Sequence, residues 1–284
     1  MDVLSAWRDR FSRNPVLSWL GGEPLLLRQL PVLEKRAESL QLPISMTTNG
    51  STLHIPAIRE RIAGYYQAVT FSIDGDAAFH DSMRGMAGLT NRLGEGIKAL
   101  RALSGSSSSP KLRANVVLMR TNYDMLEELC VRLKDWGINE ITINQLGGRD
   151  RPEFFPENRL NPDQASKLQS AIERIRGRFK STVTITGGND YWTRIRASAE
   201  DVPLPIGACR VAEQFIFIDE QGWMAPCSFD PEKFGVNVDS IKEAADLETI
   251  SDRLGYQQRN FPIFDCANCP STQQFGKFSI AQSS

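Results

Sequence analysis

The feature that most constrains this chain is an alternation, held over roughly the first 180 residues, between short apolar runs and longer amphipathic stretches. The strand-like runs are Pro15–Leu20, Pro43–Thr47, Ala68–Ile73, Leu112–Leu118 and Glu140–Asn144. Helical spacing covers about 3–12, 25–40, 55–64, 91–103, 123–136 and 161–178, the last opened by the capping triplet Asn161-Pro-Asp. Strand alternating with helix predicts parallel strands joined by right-handed crossovers, an α/β fold. The serine-rich stretch Gly105–Pro110 reads as a surface loop, because the alternation resumes after it. After about residue 185 the pattern breaks. Gln214–Cys227 reads as a β-hairpin turning at Asp219-Glu-Gln-Gly222, and 239–256 as a helix. The expected domains are 1–185 and 186–284.

Charge and hydropathy exclude several classes. The 33 basic and 34 acidic residues leave a formal net charge of −1, so no electrostatic case exists for a nucleic-acid partner. No apolar run approaches the roughly 20 residues of a spanning helix, and the N-terminus has no basic-then-apolar signal. The expectation is a soluble cytoplasmic protein without membrane contact.

Five cysteines are present. Cys130 lies in an amphipathic helical pattern and is expected in the core. Cys209, Cys227, Cys266 and Cys269 all lie in the last 76 residues, which favours a metal site over disulfides. Cys209 and Cys227 are brought together by the hairpin, and Cys266-Ala-Asn-Cys269 adds a CxxC. Four thiolates suit a [4Fe–4S] cluster or a tetrahedral zinc, and spacing alone leaves both open.

Small polar residues and glycines follow the early strands: Gly21-Gly22-Glu23-Pro24, Thr48-Asn49-Gly50 and Ser72-Ile73-Asp74-Gly75. In β/α barrels ligands gather at that end of the strands. Each of these is also an ordinary strand-ending turn residue. Together with Phe79-His80-Asp81 and Arg84-Gly85, they make the chain resemble the radical S-adenosylmethionine (SAM) family with a Twitch/SPASM-type extension. The resemblance covers nearly the whole chain. It implies a partial (β/α)6 TIM-like barrel missing its first strand, plus a small C-terminal hairpin/helix iron–sulfur domain.

The resemblance further implies SAM as cofactor, with Gly21, Gly22 and Glu23 at its amino group. Ser72 and Asn115 match the positions that hold the ribose and carboxylate more loosely, and Asn49 and Asp74 shape the rim. Arg84 is either a carboxylate partner or a solvated loop charge. The four late cysteines imply one auxiliary [4Fe–4S] cluster of the shorter Twitch kind, because Phe275 stands where the longer form has its next cysteine. Asp230 sits where related enzymes place a base, a position a hairpin-end turn residue explains as well. Tyr191 and Trp192 face substrate or pack in the core, and the 147–160 loop shapes a pocket or is simply solvated.

The family's CxxxCxxC triad is absent, since no cysteine precedes Cys130. A second, SAM-binding [4Fe–4S] is therefore expected only in a longer chain. The expectation is a truncated chain, inactive in radical chemistry as given; natural loss of the triad is the other explanation. The reaction implied is hydrogen abstraction from a peptide or small metabolite, with flavodoxin or ferredoxin as electron donor. The alternative is a non-catalytic Fe–S or zinc protein that keeps the fold.

Overall fold

The computed structural model describes residues 1–103, 110–148, 151–180, 182–203, 211, 215–228 and 235–260. Packing divides the chain into two units, one of Val16–Thr186 and one of Met1–Pro15 with Gly187–Ser284.

The first unit holds a six-stranded sheet of sequential order, every neighbouring pair parallel. Its strands are β1 (Leu17–Trp19), β2 (Ile44–Thr48), β3 (Tyr66–Ser72), β4 (Lys111–Leu118), β5 (Glu140–Gln145) and β6 (Thr184–Ile185). The five-strand expectation is corrected to six, because two residues in β6 are too few to show a period. Between strands run α2 (Leu30–Ser39), α3 (Pro56–Tyr65), α4 (Ala77–Arg84), α5 (Leu89–Leu103), α6 (Leu126–Trp136), α7 (Phe155–Asn158) and α8 (Pro162–Phe179). The helix expected over 25–40 is split: Pro24 opens a 3-10 turn, Pro24–Leu26, and Pro31 sits in the first turn of α2. The 147–160 loop carries the short α7, and α4 lies between the Asp76 cap and Gly85 in the left-handed region.

The two faces of the sheet differ. On β4, Leu112, Ala114, Val116 and Leu118 are buried while Asn115 and Val117 are half-buried. Register carries the buried face sideways through Met46, Val69, Phe71 and Ile141, all at most 4% exposed. Helix residues Leu30, Leu93, Ile97, Leu129, Leu133, Leu168 and Ile172 complete this core, with Cys130 at 0% exposure as expected. Burial pushes the Cys130 thiol up to about 12, so it is no thiolate ligand at neutral pH. Among the helices a buried network forms: Glu34 of α2 accepts from Arg61 of α3 (3.0 and 2.9 Å) and from the Tyr66 hydroxyl (2.7 Å).

The second unit contains α1 (Asp2–Phe11), α9 (Asn189–Ala199), an antiparallel sheet of β7 (Phe217–Ile218), β8 (Trp223–Ala225) and β9 (Val236–Asn237), and α10 (Ala244–Asn260). The hairpin turns where expected. Asp219 Oδ1 accepts from the backbone N–H of Gln221 and Trp223, and Gly222 takes φ 85°. The helix expected over 239–256 begins later, at Ala244, after a 3-10 turn at Val238–Ser240. Met224, Ile250 and Leu254 form a small core with Ile216, Val236 and Leu247. Helix α1 joins this unit: Glu248 of α10 accepts from Trp7 Nε1 (2.8 Å) and from Arg13 (2.5 Å).

Candidate functional site

The rim of the first unit is built where β1, β2 and β3 end. Gly21 and Gly22 follow β1 with φ of 75° and 48°, and a methyl group on either would meet nothing within 4 Å. They form an open stretch of backbone in a conformation that side chains disfavour. Glu23 then turns inward. Its carboxylate accepts from Thr48 Oγ1 (2.6 Å), the N–H of Asn49 (2.7 Å) and the N–H of Leu25 (3.2 Å). The loop after β1 is thereby fixed to the end of β2. A carboxylate offers about four acceptor sites, so one more donor can be taken. The Asn49 side chain accepts from the N–H of Ser51 (2.8 Å), which makes it a turn former.

Ser72 closes β3 and is the register partner of Asn115 on β4, which in turn pairs with Thr142 on β5. Thr186 Oγ1 reaches Thr142 Oγ1 at 3.0 Å. Ser72, Asn115 and Thr142 therefore lie in one polar row on the less buried face, and Thr186 bonds to its end. Asn115 Oδ1 is buried with no partner among the described residues. A buried acceptor without a donor costs about 1–3 kcal/mol, so it calls for a ligand or water N–H or O–H. Below this row Arg113 pairs with Glu140 at 3.2 Å. Thr142 and Thr186 escaped the sequence reading because threonines in strands are ordinary strand formers.

Asp74 is the hub behind the row. It is 4% exposed. Its carboxylate accepts from Arg84 (2.6 Å) and from the N–H of Val117 (2.9 Å), and its carbonyl accepts from Asn122 Nδ2 (2.6 Å). Arg84 is thus paired within the chain. His80, 0% exposed, accepts at Nδ1 from the N–H of Asp74 (3.2 Å). Burial holds the His80 imidazole below its ordinary value of 6.5, so it is neutral at pH 7. Asp81 accepts from the N–H and hydroxyl of Thr90 and from the N–H of Gly88, and these bonds, the Thr90 hydroxyl first, hold its carboxyl below the usual range.

In the second unit Cys227 is buried at the end of the hairpin. Cys209, Asp230, Cys266 and Cys269 lie outside the described residues. Tyr191 and Trp192 of α9 are 1% and 3% exposed with ring centroids 5.1 Å apart, which places them in the core. Among the described residues no three His, Cys, Asp or Glu side chains group as a metal site, and no helix is long and apolar enough to cross a membrane.

An all-parallel β/α sheet with an open, glycine-lined rim at its strand ends and a polar row on one face is an α/β fold of the partial-barrel kind. No protein-family model matches the chain. It is 28% identical over 182 residues to the pre-heme d1 synthase of Dinoroseobacter shibae, covering 62% of this chain and 44% of that one. It is 24% identical over 231 residues to the AdoMet-dependent heme synthase of Methanosarcina barkeri, covering 77% and 64%. The PqqA peptide cyclase of Xanthomonas euvesicatoria is 24% identical over 229 residues, covering 78% and 57%. The chain thus spans less than two thirds of the length of each of these relatives. Among solved structures, Streptococcus suis SuiB matches with a TM-score of 0.66 at 16% identity, covering 95% of this chain and 65% of that one. The anSMEcpe structure with bound AdoMet and Kp18Cys peptide matches with a TM-score of 0.59 at 15% identity, covering 96% and 78%. These proteins are radical SAM enzymes, and this chain shares their partial-barrel fold and is related to them in sequence.

Proposed function

We propose that the first unit binds SAM on the Gly21–Asn115 rim and that the second unit holds one auxiliary [4Fe–4S] cluster through Cys209, Cys227, Cys266 and Cys269. The observation that carries the first half is an open positive-φ glycine backbone together with a buried acceptor, Asn115 Oδ1, that has no partner among the described residues. Donors and acceptors of these kinds fit the amino, carboxylate and ribose hydroxyl groups of SAM. Glu23 and the glycine carbonyls receive the ammonium, while Ser72 and Asn115 receive the hydroxyls. SAM is also bound in a solved form of SuiB and in that of anSMEcpe. For the cluster, four thiolates in one region are the donor set it needs, and the same four suit zinc.

SAM held on a reduced cluster supplies, in this class of enzyme, the agent that abstracts hydrogen from substrate. The residues of this sequence do not fit that second cluster, because no cysteine precedes Cys130 and Cys130 is a buried core thiol. The function proposed for the chain as it stands is therefore SAM recognition by the first unit and an auxiliary metal centre in the second, with Asp230 the candidate base at the substrate. A peptide substrate is favoured by the relation to PqqA peptide cyclase and by the SuiB structure with precursor peptide SuiA; a small metabolite is the second class. A flavodoxin or ferredoxin donor would serve a form that carries the triad. The non-catalytic Fe–S or zinc protein is the same reading without turnover.

The test is iron and sulfide content after anaerobic reconstitution, with 5′-deoxyadenosine assayed on the same sample. About four irons per chain without 5′-deoxyadenosine is the expected result. About eight irons, or any SAM cleavage, would mean that ligands for a second cluster exist in this chain. Zinc without iron would replace the cluster by a structural metal.

A further inference from the structure

His80 is wholly buried, yet no step of SAM recognition uses it directly. Its Nδ1 accepts the Asp74 N–H at 3.2 Å, so in the neutral ring the proton sits on Nε2. Nε2 is buried and has no partner among the described residues. Asp74 in turn joins the end of β3 to β4, through the N–H of Val117 at 2.9 Å. Asn122 closes the junction by donating to the carbonyls of both Asp74 (2.6 Å) and Val117 (2.9 Å). Ser72 lies two residues before Asp74, and Asn115 two residues before Val117. The spacing of the two rim residues is thus set by a junction that His80 completes.

We propose that His80 is a positioning residue that, as a neutral acceptor, locks the Asp74–Val117 junction and so holds Ser72 and Asn115 in ligand-binding register. The inference rests on the SAM-binding reading for its functional half, and on geometry alone for the lock. Protonation places a hydrogen on Nδ1, which then confronts the Asp74 N–H donor to donor. The charged ring is drawn instead to Asp74 Oδ2, 3.8 Å away, the oxygen that Arg84 already holds. The charged groups acting on His80 are Asp74 on the loop after β3 and Arg84 and Asp81 on α4. Because burial depresses its affinity for a proton, the lock is complete at neutral pH and fails only toward acid.

The experiment compares wild type with His80→Asn, whose Oδ1 supplies an acceptor near the Nδ1 position, and His80→Leu, which supplies none. Two readouts are taken: S-adenosylhomocysteine affinity by equilibrium dialysis, and amide exchange at Asp74 and Val117 without ligand. His80→Leu is expected to lose exchange protection at both amides and to bind about tenfold more weakly. His80→Asn keeps protection and binds within about threefold of wild type. Wild-type affinity is flat at neutral pH and falls only below about pH 6.5, and His80→Asn shows no such fall. The proposal is overturned if His80→Leu keeps both amides protected, if the two variants are equally impaired, or if His80→Asn retains the acid fall. Should His80→Leu not fold, the pH profiles of wild type and His80→Asn decide. Lost protection in His80→Leu with no binding even to wild type would leave the lock standing and refute the SAM-binding reading.

Discussion

Glu23 meets Thr48, Asn49 and Leu25 at once, so it both shapes the rim and offers one remaining acceptor site. Glu23→Ala is expected to destabilise the chain by about 1–3 kcal/mol, because the Thr48 hydroxyl and Asn49 N–H lose their acceptor. The same substitution should raise the dissociation constant of S-adenosylhomocysteine by about tenfold or more, measured by dialysis. Glu34→Ala is a contrast far from the rim. It strands the Tyr66 hydroxyl and leaves Arg61, 25% exposed, unpaired. Loss of about 2–4 kcal/mol is expected in urea titrations, with ligand affinity unchanged. At this scale the place of Gly21-Gly22-Glu23 just after β1 was legible, because strand-ending glycines followed by an acid stand out in sequence. The roles of Asp74 and His80 were not. A buried hub is defined by partners distant in the chain, such as Val117 and Asn122, and neither spacing nor period announces them.

Elements were read well where they are long and periodic, as in α3, α5, α6 and α8, and poorly where they are short. Helix α8 shows why its start was legible. Asn161 accepts from the N–H of Gln164, and Gln164 reaches back to the N–H of Asn161, a capping box written in local sequence. Asn161→Ala is expected to cost about 1 kcal/mol, seen as a lower thermal midpoint. Helix α4 had its signals, Asp76 before and Gly85 after, but eight residues gave too little period. Strands β6 and β9 have two residues each, and only pairing with β5 and β8 defines them. The close approach of α5 and α6 was equally invisible, since it depends on Gly94 facing Trp136. A methyl group on Gly94 would lie 2.6 Å from Trp136 Cε2. Gly94→Val should therefore destabilise by about 1–3 kcal/mol without altering the rim.

For the whole molecule, the alternation of strand and helix carried the α/β class, and the break near residue 185 matched a change to hairpin and helix. That α1 packs with the C-terminal residues was not legible, because the contacts of Trp7 and Arg13 with Glu248 span more than two hundred residues. Glu248→Ala is expected to change stability by under about 1 kcal/mol, since its pair with Arg13 is solvent-facing. The central claim concerns the first unit: its rim takes up SAM. Its most direct test is equilibrium dialysis of labelled SAM against wild type and Asn115→Leu. The account predicts saturable one-site binding to wild type and binding weakened by about tenfold or more in Asn115→Leu, which still folds. No saturable binding to the wild-type chain, or equal binding by both proteins, would contradict it.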